Sequence, residues 1–359
     1  MRKLLLEAPY QMHMVDAPIP EPAADEVRVR ICKIGICGSD PTIYKGLHPY
    51  VTYPMVPGHE LSGVIDAVGS HVDASRIGQR VTIIPHQVCG HCEACKHEIY
   101  NFCEELKCTG AEADGGMCDY FCIDAKMALE IPETMTLEQA AMVEPACVAY
   151  HGAKRGQIVP GDRVLIVGAG PIGVFCMQSC FALGAKEVYI ADMDTDRLAL
   201  AKSLGATGTI EVAKEDLKQG LTRLTGSEKN IDVFYDCVGE KGLVLNNILA
   251  VARRGSRIVV IGVLQKQFNI PLLPDFVQHE LSLSGTTMYV PQDYRDMIDF
   301  MGRGVIRTEG MVSHHFPLEK IPDVLDMIVN HREKTFKVII DVAESLWIKG
   351  KAGGSRLFS

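Results

Sequence analysis

The 359-residue sequence lacks any uninterrupted run of about 18 apolar residues, the length that a membrane-spanning helix requires. Near its start only Leu4–Leu6 stand together before Glu7, which is too short for a secretion signal. The sequence also lacks an excess of positive charge, since 36 Lys and Arg residues stand against 45 Asp and Glu residues. Because nucleic-acid binding requires a basic surface, we expect a cytoplasmic protein with neither a membrane nor a nucleic acid as partner.

Cysteine, in contrast, is plentiful. Thirteen cysteines without a secretion signal indicate thiols and metal ligands rather than a disulfide framework. Four of them are closely spaced, as Cys89-x2-Cys92-x2-Cys95-x7-Cys103. Zinc prefers such a tetrahedral set of thiolates, and a shell closed by four of them leaves no position for a substrate. We therefore predict a structural zinc lobe at residues 89–103, with an iron–sulfur cluster as the alternative.

The pattern of apolar residues changes along the chain. From Glu26 onwards, short β-rich segments are separated by Gly and Pro, which is typical of a compact β domain. From about Gly161, apolar β-branched runs alternate with helical stretches, which indicates a doubly wound parallel sheet and therefore an α/β fold. We predict a β-rich domain at 1–150, a parallel-sheet domain at 151–290, and a return to the first domain at 291–359, with a strand at 337–341 and a Gly/Ser-rich tail.

A glycine-rich turn follows the first apolar run of the second domain. It reads Gly168-Ala-Gly170-Pro171-Ile172-Gly173 and opens a predicted helix. Gly168 permits the tight turn, Gly170 lets the backbone approach a diphosphate, and Gly173 lets the helix pack closely on the strand. The helix N-terminus supplies free N–H groups for the diphosphate, and Pro171 suits the first helical position. These residues predict a Rossmann dinucleotide-binding domain rather than an ordinary glycine turn.

Two charged residues bear on the choice of dinucleotide. Asp192 ends the second predicted strand of this domain, where a carboxylate would bind the ribose 2′-hydroxyl and repel a 2′-phosphate. Arg197 follows shortly after and could soften that preference. We therefore predict that the cofactor is NAD.

A second set of candidate metal ligands is spread through the first domain. It comprises Cys37 in Gly-Ile-Cys-Gly-Ser-Asp, His59 and Glu60 in Gly-His-Glu, and Glu144 in Val-Glu-Pro. Each residue alone is more often structural than a ligand. Together they offer one sulfur, one imidazole and two carboxylates, a mixture that suits an open zinc site completed by water or an alcohol.

These motifs occur in a specific order: Gly-Ile-Cys-Gly-Ser-Asp, Gly-His-Glu, the four-cysteine lobe, Asp-Gly-Gly, Glu-Pro and Gly-x-Gly-x-x-Gly. In this order, and over nearly its whole length, the chain resembles the zinc-dependent medium-chain dehydrogenase/reductase family, in its sorbitol (polyol) dehydrogenase branch. The resemblance implies a GroES-like catalytic domain followed by a Rossmann domain. It also implies one catalytic zinc, one structural zinc, NAD, and a homo-oligomer, either a dimer or a tetramer.

The resemblance also assigns roles within the open site. It implies that Cys37 and His59 bind zinc directly, and that Glu60, Glu144 or water fills the remaining positions. Ser39 would pass the proton of a substrate hydroxyl outward while a hydride goes to the nicotinamide. The family often carries a relay histidine where this sequence has Thr42, so the further route of the proton stays open.

The implied activity is oxidation of a secondary alcohol in a polyol or sugar-derived substrate. Dehydrogenases of sugar acids, sugar phosphates or threonine are alternatives within the same family. The alternative that is not an enzyme is a catalytically silent protein that binds NAD and zinc.

Overall fold

A computed structural model describes residues 1–239, 243–262, 276–331 and 334–343. The predicted Gly/Ser-rich tail lies outside these residues. The chain divides into two compact units, one formed by Met1–Glu144 with Val312–Ser359 and the other by Pro145–Met311. No helix in the described part of the chain combines the length and the apolar character that a membrane span requires.

The strands and helices are numbered in chain order. The strands are β1 (Arg2–Ala8), β2 (Gln11–Asp16), β3 (Glu26–Ile36), β4 (Glu60–Val68), β5 (Arg80–Ile83), β6 (His86–Gln87), β7 (Lys107–Cys108), β8 (Tyr120–Asp124), β9 (Ala128–Glu130), β10 (Arg163–Val167), β11 (Glu187–Asp192), β12 (Gly208–Glu211), β13 (Val233–Asp236), β14 (Arg257–Val260), β15 (Ser282–Gly285), β16 (Val312–Pro317) and β17 (Lys337–Asp341). The helices are α1 (Asp40–Tyr44), α2 (Glu93–Lys96), α3 (Leu137–Ala141), α4 (Val143–Arg155), α5 (Pro171–Ala182), α6 (Thr195–Ser203), α7 (Leu217–Thr225), α8 (Leu243–Val251), α9 (Pro291–Gly302) and α10 (Ile321–Val329).

The first unit is built around β3. This strand alternates apolar and polar residues along Glu26–Arg30, and its apolar side chains Val27, Val29 and Ile31 are fully buried. It pairs antiparallel with β4, β8 and β17, within a sheet of order β16-β17-β3-β4-β5-β9. Strand β17 has the bounds predicted for the C-terminal strand. It pairs with β3, so the last described part of the chain belongs to the first unit.

The second unit is a six-stranded parallel sheet of order β12-β11-β10-β13-β14-β15. The central strand β10 is apolar because both of its faces are covered, and Val164–Ile166 are fully buried. The edge strand β15 is largely exposed and contains two serines. The strand order reverses between β10 and β13, and in such sheets ligands bind at the carboxyl ends of the strands at this switch point. The predicted α/β fold, a β-rich domain with a Rossmann domain, is confirmed.

The second unit extends further along the chain than residue 290, where the sequence predicted its end. Helix α9 belongs to it because Asp293 of that helix is buried against α4. This carboxylate is hydrogen-bonded by His151 Nδ1 at 2.8 Å, forms an ion pair with Lys154, and accepts the Val290 N–H at 2.9 Å. The chain leaves the second unit only after Met311.

Candidate active site

The open site forms where β3 ends and β4 begins. These strands are antiparallel neighbours with Gly35 opposite Glu60, so the last residues of β3 lie beside the first residues of β4. Cys37 directly follows β3, His59 directly precedes β4, and Glu60 is the first residue of β4. One ligand atom from each of these three residues lies within 4.8 Å of the other two. The structure therefore brings three of the predicted ligands together.

Local hydrogen bonds fix the turn that carries Cys37. Oδ2 of the buried Asp40 accepts a hydrogen bond from the Cys37 N–H at 2.7 Å, which holds Cys37 just before the start of α1. Ser39 is the N-cap residue of α1, and its hydroxyl makes no capping hydrogen bond. Gly58, just before His59, has a φ of +101°, a conformation that favours glycine.

Buried charges determine the acid–base properties of the site. Burial alone would lower the pKa of His59, but its hydrogen bond to Cys37 and the nearby charges of Cys37 and Asp40 raise this pKa well above its ordinary value. His59 Nδ1 and both carboxylate oxygens of Glu60 are buried without a hydrogen bond within the described structure. Because an unsatisfied buried carboxylate oxygen is costly, a cation between the thiol, the imidazole and the carboxylate fits this arrangement.

Glu144 lies outside the group of three. It is buried at the start of α4, and its charge raises the pKa of Cys108, although burial is the larger cause of that increase. Glu144 therefore lies in the same electrostatic environment as Cys37 and His59, which both influence Cys108 as well. Of the two predicted carboxylates, Glu60 is the one that the structure places beside Cys37 and His59.

Two residues at this site were not predicted from the sequence. Lys337, the first residue of β17, is buried and forms an ion pair with Glu60. His48 is half-buried, its Nδ1 has no hydrogen-bond partner in the described residues, and His59 lies within its electrostatic range. Burial lowers the pKa of His48. Sequence spacing does not reveal either residue, because Lys337 joins the site only through strand pairing and His48 through a loop.

The four-cysteine lobe is a compact loop around α2. Cys89 Sγ lies 3.8 Å from Cys95 Sγ and 3.7 Å from Cys103 Sγ, and all four sulfurs lie within 4.8 Å of one another. A tetrahedron of sulfurs about 2.3 Å from a zinc ion has edges of about 3.8 Å. The four cysteines, with Cys92 as the fourth, therefore fit a closed tetrahedral zinc site.

The glycine turn has the geometry that a dinucleotide requires. Gly168 has a φ of +104°, and a Cβ added there would lie 2.8 Å from Val238 Cγ2. A Cβ on Gly173 would collide with the Gly168 carbonyl oxygen, so α5 packs against the turn as predicted. Gly170 is the N-cap residue of α5, which begins at Pro171. The half-buried Ile172 follows in its first turn.

The two residues predicted to select the cofactor lie beside this turn. Asp192 ends β11 and accepts the Ala169 N–H at 2.6 Å and the Asp194 N–H at 2.9 Å, which fixes its carboxylate against the glycine turn. Arg197 extends towards Gly170, where its Nη1 lies 3.8 Å from the position that a Cβ would occupy. The guanidinium group thus reaches the turn at which a diphosphate would bind.

Two apolar side chains near this turn were also not predicted. Met193 follows Asp192 and is 73% exposed, and Val238, which contacts Gly168, is 41% exposed. Exposed apolar residues at the carboxyl ends of β11 and β13 are suited to contact a flat, apolar ring. An apolar residue directly after the strand-ending acid is the sequence signal that could have identified Met193.

Comparisons with known proteins agree with both units. Residues 23–133 match the alcohol dehydrogenase GroES-like domain, and residues 171–303 match the zinc-binding dehydrogenase family. Starvation-sensing protein RspB of Escherichia coli (strain K12) is 33% identical over 345 residues, which cover 96% of this chain and 100% of that protein. Sorbitol dehydrogenase of Bacillus subtilis (strain 168) is 31% identical over 345 residues, covering 95% of this chain and 97% of that protein.

A solved structure matches equally well. The crystal structure of a short chain alcohol dehydrogenase (rspB) from E. coli CFT073, complexed with NADH, has a TM-score of 0.87 and 32% sequence identity, covering 95% of this chain and 99% of that one. The expected cofactors, zinc and NAD, are confirmed by these matches together with the cysteine lobe. The chain therefore belongs to the zinc-dependent medium-chain dehydrogenase/reductase family, in its sorbitol dehydrogenase-like branch, and is a zinc-dependent, NAD-linked alcohol dehydrogenase.

Proposed function

We propose that this enzyme oxidises a secondary hydroxyl group of a neutral polyol, with NAD as the hydride acceptor. The observation that carries the proposal is the convergence of Cys37, His59 and Glu60, whose ligand atoms lie within 4.8 Å of one another. In this proposal these three residues hold the catalytic zinc, and Glu144 is a nearby buried acid that is not a direct ligand. Cys89, Cys92, Cys95 and Cys103 hold the structural zinc.

The side chains around the open site have separate tasks. When bound, zinc supplies the Lewis acidity that lowers the pKa of the substrate hydroxyl, and NAD accepts the hydride from the carbinol carbon. Ser39, whose hydroxyl makes no capping hydrogen bond to α1, relays the hydroxyl proton: its Oγ accepts that proton and releases its own. His48 is the candidate for taking the proton onward, since Thr42 stands where the family often has its relay histidine.

The charges at the site favour a neutral substrate. Glu60 and Glu144 are both buried there, and the buried cation Lys337 is already ion-paired with Glu60. It therefore cannot also neutralise the carboxylate of a sugar acid or the phosphate of a sugar phosphate. These anionic substrates are the second candidate because relatives named L-idonate 5-dehydrogenase and D-arabitol-phosphate dehydrogenase are 32% and 31% identical to this chain.

The binding residues at the glycine turn favour NAD. Gly168, Gly170, Pro171, Ile172 and Gly173 form the diphosphate-binding turn in this proposal. The carboxylate of Asp192 binds the ribose 2′-hydroxyl and would repel a 2′-phosphate, while Arg197 contacts the diphosphate.

A substrate panel tests this proposal. It compares linear polyols, the aldonates of the same carbon number and the corresponding polyol phosphates, each with NAD and with NADP. We expect kcat/KM for the best polyol to exceed that for its aldonate and its phosphate by about tenfold or more, because placing an unpaired anion near buried acids costs more than about 1.4 kcal/mol. An aldonate or phosphate that reacts faster would contradict the neutral substrate, and equal rates with NADP would contradict the role of Asp192.

Two expectations from the sequence remain predictions. The protein is expected to form a homo-oligomer, either a dimer or a tetramer, and to reside in the cytoplasm. Light scattering of the purified protein tests the first, and fractionation of the cells that produce it tests the second.

A further inference from the structure

Lys337 and Glu60 form a buried ion pair beside the open site. Their side chains are only 3% and 1% exposed. Taking two charges out of water is costly, so a buried pair is weak evidence for a purely stabilising role. Lys337 Nζ also donates a hydrogen bond to the Ile36 carbonyl oxygen at 3.1 Å, directly before Cys37. The lysine thus contacts both chain segments that supply the candidate zinc ligands.

Gly35 provides the space in which the Glu60 carboxylate lies. A Cβ at Gly35 would overlap Glu60 Oε2, which shows that the carboxylate folds over the bare backbone of β3. Strand pairing places the three residues together, since Gly35 is opposite Glu60 in β4 and Val338, next to Lys337, is opposite Ile36 in β3. Glu60 is therefore confined between a glycine and a lysine on two neighbouring strands.

The two oxygens of Glu60 have different surroundings. Both oxygens are buried and make no hydrogen bond within the described residues, and Oε2 is the oxygen that forms the ion pair with Lys337. Oε1 belongs to the carboxylate of which one oxygen lies within 4.8 Å of the ligand atoms of Cys37 and His59. A carboxylate fixed through one oxygen by a cation can offer the other oxygen to a metal, as partners of metal ligands commonly do.

We propose that Lys337 is a positioning residue of the open metal site, which holds Glu60 through Oε2 over Gly35 so that Oε1 faces the metal beside Cys37 and His59. This proposal rests on the proposed function, because it requires a zinc ion at these ligands. Lys337 also offsets one of the negative charges that Cys37 and Glu60 place around that ion. The role is one of geometry and charge, and Lys337 itself does not touch the substrate.

The test measures zinc retention in the full-length enzyme as a chelator is increased. We compare wild type with Lys337→Met, which keeps length but removes the charge, and with Lys337→Arg, which keeps the charge. Lys33→Met is the matched control, because Lys33 forms a lysine–carboxylate ion pair with Asp341 between the same two strands, β3 and β17, without contacting the site. Zinc in the cysteine lobe serves as an internal standard in every variant.

We expect Lys337→Met to hold the open-site zinc about 10- to 100-fold more weakly, the usual effect of losing the partner of a metal ligand. Lys337→Arg should recover at least part of this affinity, and Lys33→Met should match wild type. With cobalt in place of zinc, the visible spectrum of the open site should change in Lys337→Met and remain unchanged in Lys33→Met. Wild-type zinc retention and an unchanged cobalt spectrum in Lys337→Met would overturn the positioning role.

A double variant covers the case in which Lys337→Met fails to fold. Glu60→Gln with Lys337→Met leaves neither charge unpaired, so it removes the cost of a lone buried ion. If Lys337 acts through Glu60, this double variant should bind zinc as weakly as Glu60→Gln alone; a further loss would overturn the proposal. The proposed function has a separate test: it is contradicted if the wild-type enzyme binds zinc in the cysteine lobe and none at the open site.

Discussion

The four-cysteine lobe and the open site are both suited to zinc, but they are assembled in different ways. The lobe takes all its ligands from residues 89–103, and its sulfurs already lie at the spacing of a closed tetrahedron. The open site takes Cys37 from the residue after β3, His59 from the residue before β4, Glu60 from the start of β4, and Lys337 from β17. The comparison shows that a structural site can be encoded locally, whereas a reactive site is held by the sheet.

The largest effect should come from removing the thiolate of the open site. Cys37→Ala should lower kcat by about 10³-fold or more, because Lewis-acid assistance contributes several kcal/mol and each 1.4 kcal/mol is tenfold in rate. Metal analysis should find that one zinc is lost and that the lobe zinc is retained. The comparison between the two sites would fail if Cys37→Ala lost both zinc ions.

Removing a ligand of the lobe should affect the structural zinc and not the zinc of the open site, and it should lower turnover less than Cys37→Ala does. Cys103→Ser should release the lobe zinc and leave residues 89–103 without the ion that orders them, since this loop has little core of its own. Limited proteolysis within the lobe should accelerate by about tenfold or more, because the local opening becomes more populated. The open site should keep its zinc. Resistance to the protease equal to that of wild type would show that the lobe is held by its own contacts.

The smallest effect concerns acid sensitivity at the base of the lobe. Strands β6 and β7 flank the lobe and pair with each other, and His86 of β6 is 2% exposed. Burial lowers the pKa of His86 to about 4. The unfolded chain therefore binds a proton more readily than the folded one, so stability is complete above about pH 6.5 and is lost as the pH falls from there towards 4.

The change from pH 7 to pH 5 should cost about 2 kcal/mol through this histidine. His86→Gln cannot take up the proton, so the urea midpoint of the variant should shift less between the two pH values than that of wild type. Zinc content is measured at both pH values, since acid also weakens the binding of zinc to thiolates. An equal shift in the two proteins would show that another group controls the acid sensitivity.

The positions along the chain explain which parts of the site could be predicted. Cys89 to Cys103, and the glycines from Gly168 to Gly173, act through spacing within one loop or one turn, so the sequence alone identifies them. The predicted end of the second unit at residue 290 differs from the structure because Asp293 pairs with His151 and Lys154, which are far away in sequence. No local pattern marks that contact.

The fold class, the four-cysteine lobe, the glycine turn and the residue types of the open site could all be predicted from the sequence, because each depends on periodicity or on short spacings. Tertiary contacts were needed to bring a ligand atom of Glu60 within 4.8 Å of those of Cys37 and His59, a grouping that does not include Glu144. They also brought Lys337 to Glu60. The physical reason is the same in both cases: strand register brings together side chains that lie far apart in the chain, and register is set by the packing of the whole sheet.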